Sequence, residues 1–448
     1  MDDTLIYYII GDNGASAEGT LIGSFNEQAV GEAPDLNTPE FMIEHMDDLG
    51  TPRANNHYAV GWAHAMDTPY QWTKQVASHF GGTRNGTIIH WPNGIKAKGE
   101  LRTQFHHVID VAPTVLEVAG LPEPTMVNGV LQEPLHGVSM AYSFDDPKAA
   151  ERHETQYFEM VCNRGIYHKG WTAVTRHGNL PWVVIGAQPP LSEDVWELYE
   201  TTKDWSQAHD LAKKMPEKVA ELQRLFELEA MKYNVFPLDD RKAERANPDL
   251  AGRPAVVKGN TQLLFPGMRR MQENVIINTK NKSHSVTAEI EVPEPGAKGV
   301  IIAQGGAMGG WSLYAHEGKL KYFYNFLGMR HSEVTATSML PAGKHQVRME
   351  FTYDGGGIGK GATVTLYVDG KKIGEGRLER TTALFFSMDE TTEVGCDLGE
   401  PVSPDYGARE NAFSGKVNWV QIDVDAAAKD MDHMIGAEER FQVAMARQ

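Results

Sequence analysis

The run Thr4-Leu5-Ile6-Tyr7-Tyr8-Ile9-Ile10 stops abruptly at Gly11-Asp12-Asn13-Gly14. A continuous apolar, β-branched and aromatic stretch closed by glycines reads as an interior strand of a largely parallel sheet. Open α/β sheets carry their chemistry just beyond the carboxyl ends of such strands. Asp12 and Asn13 therefore stand where a carboxylate and an amide oxygen can serve a cation. Taken alone, the same residues also suit a tight turn whose backbone needs positive φ. Thr87-Ile88-Ile89-His90-Trp91, ahead of Pro92, reads as a second short buried strand.

Composition narrows the class. Hydrophobic residues make up 41% and charged residues 23% of the 448 positions, the usual balance of a globular protein. A net charge of -18 disfavours a nucleic-acid partner, because phosphate binding needs a basic surface. No apolar run is long enough for a membrane-spanning helix. Cys162 and Cys396 cannot build a disulfide framework and leave the compartment open.

Further along, Asp110 is placed to cap a helix running through Val115, Leu116 and Val118 to Gly120, with Pro113 tolerated in its first turn. Gly165 to Val174 and Trp196-Glu197-Leu198-Tyr199 read as strands. Val219, Leu222, Leu225, Phe226 and Ala230 recur on one face of a helix expected over 216–233. After a proline- and glycine-bearing connector, short strands are expected over 286–292, 299–303, 320–324, 345–353 and 362–368. Several of them alternate apolar and polar residues as half-exposed sandwich strands do. Asp369-Gly370 is a hairpin turn signal.

Several motifs in fixed order carry a resemblance. Asp3 to Ser16, Thr51-Pro52-Arg53-Ala54-Asn55-Asn56-His57-Tyr58, Tyr70 to Arg84, Gln104 to Leu116 and Trp196-Glu197-Leu198-Tyr199 together resemble the carboxyl-terminal half of bacterial type I arylsulfatases. The resemblance runs from residue 1 to about 245 and is far more specific than any single motif. It implies an α/β fold: a partial alkaline-phosphatase-like sheet with a small antiparallel subdomain. The later strands resemble a concanavalin- or laminin-G-like β-sandwich, or jelly roll. The expected organisation is 1–120 for the distal part of the catalytic α/β domain and 121–245 for the small-sheet subdomain. A linker follows over 246–273, the sandwich over 274–425, and a carboxyl-terminal helix over 426–448.

The resemblance also implies chemistry. Asp12 and Asn13 correspond to the pair that helps bind a divalent metal ion, with Ca2+ the expected ion, and Lys74 corresponds to the lysine on the sulfate and ester oxygen. Type I sulfatases attack sulfur with a hydrated formylglycine made from a Cys/Ser-x-Pro/Ala-x-Arg motif. Neither cysteine nor any serine of this chain stands in such a motif. The expectation is therefore a sulfate ester hydrolase fragment, inactive alone, whose torn sheet edge promotes aggregation. A phosphonate or phosphodiester hydrolase of the same superfamily and a non-catalytic glycan-binding protein are the alternatives.

Sulfate esters are the expected substrates and a sulfated glycan a further expected partner. Trp311, Tyr314 and Tyr324 could stack on sugar rings, but strand aromatics ordinarily serve burial, and the core reading is the stronger. His106 and His107 are expected to pack and hydrogen-bond, and His136 to be structural. His209 is left open between a loop contact and a rim position.

Overall fold

A computed structural model describes residues 2–183, 187–252, 254–294 and 296–425. It divides into two compact units, one formed by Met1–Leu21 and Tyr58–Arg241, the other by Ile22–His57 and Lys242–Gln448. The segment expected as a carboxyl-terminal helix, 426–448, lies outside the described residues.

In the first unit, Ile6–Ile9 forms a two-stranded antiparallel ribbon with Thr87–His90, Ile6 facing His90 and Ile9 facing Thr87. This corrects the expected direction and burial of both strands. Ile6 is 41%, Tyr8 61% and Ile88 58% exposed. Apolar composition reports a strand's tendency to be covered, not the direction of its partner. Among the described residues no third strand joins this ribbon.

The helix Val111–Ala119 begins through a 3-10 turn at Val108–Asp110, where the His107 side chain and the Asp110 carboxylate cap reciprocally. It ends at Gly120, which takes φ 65°, as the left-handed closing residue of many helices does. Farther on, Thr155–Met160, Asn163–His168, Trp171–Thr175 and Glu197–Glu200 pair in sequence order as an antiparallel sheet. The helix Pro216–Lys232 covers it, burying Leu222, Phe226 and Ala230 against Ile166, Ala173 and Leu198. The spacing read from the sequence delivers that packing.

The second unit is a β-sandwich. A six-stranded sheet runs in the order Lys371–Leu378, Ala362–Val368, Gly343–Tyr353, His284–Val292, Lys416–Val424, Thr261–Leu264. A five-stranded sheet runs Arg330–Met339, Lys319–Phe326, Gly309–His316, Gly299–Gly306, Thr392–Val394. Both contribute to one apolar core that includes Ile290, Ile302, Leu313, Met349 and Leu366. Asp369 and Gly370, at φ 48° and 76°, form the tight hairpin the sequence signals. Thr261–Leu264 lies within the stretch read as a connector, yet it pairs with Lys416–Val424 as an edge strand.

Ile22–His57, embedded between two stretches of the first unit, belongs to this sandwich unit. Ala29 and Ala33 enter its core. Asn26 donates to the carbonyls of Leu327 (2.7 Å) and Met308 (3.3 Å). Among the described residues no helix is long and apolar enough to cross a membrane.

Candidate active site

The turn after Ile6–Ile9 is set by close backbone packing. Gly11 adopts φ 82°, a region open to glycine at little steric cost. Gly14 donates to the Gly82 carbonyl at 3.1 Å, and a Cβ on Gly14 would fall 1.6 Å from the Gly81 oxygen. Gly81 in turn sits where a Cβ would come within 2.1 Å of the Trp72 carbonyl. The Gly81-Gly82 pair thus lets three loops nest with no side chain between them.

That nesting brings two of the sequence-predicted elements together. Lys74 donates its backbone N–H to the Ala15 carbonyl at 3.0 Å, so the Lys74 loop lies beside the Asp12-Asn13 turn. The Ala15 N–H is held by Asp67 Oδ1 at 2.8 Å, and burial pushes the Asp67 carboxyl up. Ser16 donates its N–H to the Tyr58 hydroxyl at 3.0 Å. Asp12 is exposed and Asn13 half-buried. The Lys74 ammonium pairs with Glu18 Oε2 at 3.0 Å, a partner the sequence reading missed.

Beneath this wall, His79 is wholly buried, with Nδ1 on Ser78 at 2.9 Å and Nε2 on Glu197 Oε2 at 3.2 Å. The Tyr199 hydroxyl donates to the same Glu197 oxygen. Phe80 N–H donates to Gln207 Oε1 at 2.8 Å, which ties the 80–83 turn to the loop after the small sheet. These contacts orient the glycine pair.

The histidines before the capped helix serve structure. Asp110 is fully buried and accepts from His107 N–H (2.8 Å), Val138 N–H (2.7 Å) and His153 Nδ1 (2.8 Å). Burial works to raise the Asp110 carboxyl, but His106, His153 and the two backbone donors outweigh it and hold it well below the carboxylate range. His153, which no sequence signal marked, is raised in spite of burial by its bond to Asp110. His136 stacks edge-on against Tyr233 at 4.7 Å. His209 is exposed and donates its backbone N–H to Asp204.

In the sandwich, Trp311 and Tyr314 have no exposure and Tyr324 has 3%. They fill the interior, and none presents a face to a sugar. Cys162 and Cys396 are buried and not joined in a disulfide.

The first unit is an α/β segment in which the turn after Ile6–Ile9 and the Lys74 loop lie side by side. The family model described as Sulfatase matches residues 1–121. A Schizosaccharomyces pombe protein described as an uncharacterized sulfatase is 24% identical over 234 residues, covering 50% of this chain and 37% of that protein. The chain thus spans little more than a third of that curated relative. Among solved structures, a Bacteroides thetaiotaomicron protein connected with the metabolism of multiple glycosaminoglycans aligns at 18% identity with a TM-score of 0.32, covering 51% of this chain and 39% of that one. Mouse laminin α1 domains LG4-5 align at 18% identity with a TM-score of 0.23, covering 40% of this chain and 42% of that one.

Proposed function

We propose that the first unit supplies one wall of a sulfatase active site for sulfate ester hydrolysis, with the nucleophile contributed by polypeptide that these 448 residues do not include. The observation that carries this reading lies inside the family-matched region. Gly14 on Gly82 and Lys74 on Ala15 set the Asp12-Asn13 turn and the Lys74 loop side by side.

Asp12 and Asn13 offer the hard oxygen donors that suit calcium, which takes about 6–8 oxygens. Among the described residues no group of three or more His, Cys, Asp or Glu side chains is arranged to hold a metal. Asp12 and Asn13 would therefore be two members of a larger ligand set. A divalent ion held there would polarise a sulfate oxygen and offset charge developing on it. Lys74 would place an ammonium against the sulfate and the leaving oxygen, where a fixed positive charge favours the transition state over the ground state. The order of the motifs around Thr51–Tyr58, Tyr70–Arg84 and Gln104–Leu116 supports the arylsulfatase branch, and a sulfated glycan is a natural ester of the right chemistry.

The test is acetylation of the whole chain with and without sulfate, read lysine by lysine by mass spectrometry. Sulfate is expected to protect Lys74 several-fold more than the other lysines, and Lys74 labelling indifferent to sulfate would overturn the reading. The chain alone is expected to leave an aryl sulfate intact. Turnover far above background would sink the claim that the nucleophile lies elsewhere.

A further inference from the structure

The Lys74 loop is held in a backbone conformation that ordinary residues avoid. Trp72 and Gln75, on either side of Lys74, take φ 68° and 75°. A left-handed non-glycine residue is strained and persists only where its surroundings over-determine it. The surroundings are identifiable. Asn163 Nδ2 donates to the Gln75 carbonyl at 3.1 Å, and the Arg176 guanidinium lies 4.8 Å from the centre of the Trp72 ring. Lys74 N–H holds the Ala15 carbonyl.

One carboxylate grips two successive side chains of this loop. Glu18 Oε2 meets the Lys74 ammonium at 3.0 Å, and Glu18 Oε1 accepts from Gln75 Nε2 at 2.5 Å. Ser16 Oγ donates to Oε2 at 2.9 Å, which fixes the carboxylate plane from its own loop. Burial works to raise the Glu18 carboxyl, but Gln75, Lys74 and Ser16 together hold it below its ordinary value. Glu18 is thus an anion at neutral pH, bound on both oxygens.

Resting on the sulfatase reading above, we propose that Glu18 is the positioning residue of the oxyanion site: it fixes the ammonium of Lys74, whose backbone lies beside the Asp12-Asn13 turn, so that an incoming sulfate group meets a charge already in place. An unanchored lysine gives up much of its side-chain entropy when it is fixed. The Glu18 clamp takes that loss during folding, before substrate arrives. Electrostatic catalysis depends on such preorganisation, because a donor that must be recruited during the reaction spends its interaction on its own ordering. Glu18 touches Lys74 and does not itself address the ester.

The experiment is NMR on the full chain carrying [13Cε]lysine, with the Lys74 signal assigned by its loss in Lys74→Arg. In the wild type, the two Lys74 Hε protons are expected to be inequivalent and their resonance to move as inorganic sulfate is added. In Glu18→Gln the inequivalence is expected to collapse to that of a freely rotating lysine, with the amide spectrum otherwise retained. Glu18→Asp, too short to span both partners, is expected to fall between the two. Equivalent Hε protons in the wild type itself would overturn the proposal even if the variant failed to fold. So would a Lys74 signal unchanged in Glu18→Gln. A clamped Lys74 that ignores sulfate would instead overturn the oxyanion reading beneath the proposal, and with it the clamp's role in recognition.

Discussion

At the scale of single residues, burial and pairing determine which charges the first unit tolerates. Asp110 is a buried carboxylate with four polar neighbours, so removing its charge leaves His153 and two backbone donors short of a partner. Breaking a buried ion pair from one side costs about 3–5 kcal/mol. Asp110→Asn is expected to lower the unfolding free energy of the first unit, measured by urea titration, by an amount in that range, and a loss below about 1 kcal/mol would show that the cluster is not a structural latch. The pH window follows from the two shifts. The depressed Asp110 contributes stability above the ordinary carboxylate range that is lost only as pH falls through its low native value. The raised His153 contributes below about pH 6.5 and loses its share as pH rises through its native value. Asp12 and Asn13, at a strand end, and Lys74, in a motif that carries the family resemblance, could be proposed as site residues from local sequence. Glu18 and His153 could not, because their roles depend on partners 57 and 43 positions away, and no local spacing encodes such a contact.

At the scale of elements, the small sheet and the sandwich were legible where side-chain period and burial agree. Helix Pro216–Lys232 and the hairpin at Asp369-Gly370 follow their patterns. The ribbon of Ile6–Ile9 with Thr87–His90 was misread, since a short apolar run does not encode the direction of its partner. The segment Ile22–His57 carries no signal that assigns it to a sandwich made from residues more than two hundred positions later. The contacts explain the assignment. The Glu32 carboxylate accepts the successive N–H groups of Ala383 (2.7 Å), Leu384 (3.3 Å) and Phe385 (3.3 Å), while Arg380 grips Asp35 through two 2.8 Å bonds. Asn26 is fully buried and serves two carbonyls. Truncating it strands those acceptors at a cost of about 1–3 kcal/mol. Asn26→Ala is therefore expected to lower the melting temperature of the sandwich unit and to open Ile22–His57 to proteolysis. Unchanged protease resistance would mean that the segment is fastened elsewhere.

At the scale of the whole molecule, the sandwich unit contains two titrating groups, half-buried Glu32 and buried His284, that pull its stability in opposite directions. Burial raises Glu32 to about 7, against the three backbone donors and Lys280. Its native value lies above the unfolded one near 4.5, so the folded state gains as pH falls through that interval and is penalised above it. His284 is fully buried against Phe351, with ring centroids 4.3 Å apart, and burial lowers it to about 4. Its native value lies below the unfolded 6.5, so the folded state loses as pH falls from about 6.5 to 4. Each interval corresponds to roughly 3 kcal/mol. The two windows overlap, so the wild type hides both effects, and they emerge only as differences between variants. Measured against wild type by thermal unfolding, Glu32→Gln is expected to lose ground steadily as pH drops from 7 to 4.5. His284→Gln is expected to gain ground from 6.5 to 4. The double variant should then track the wild type closely, provided the two sites are energetically independent. Parallel slopes for the two single variants would contradict the sign assigned to one of the two groups.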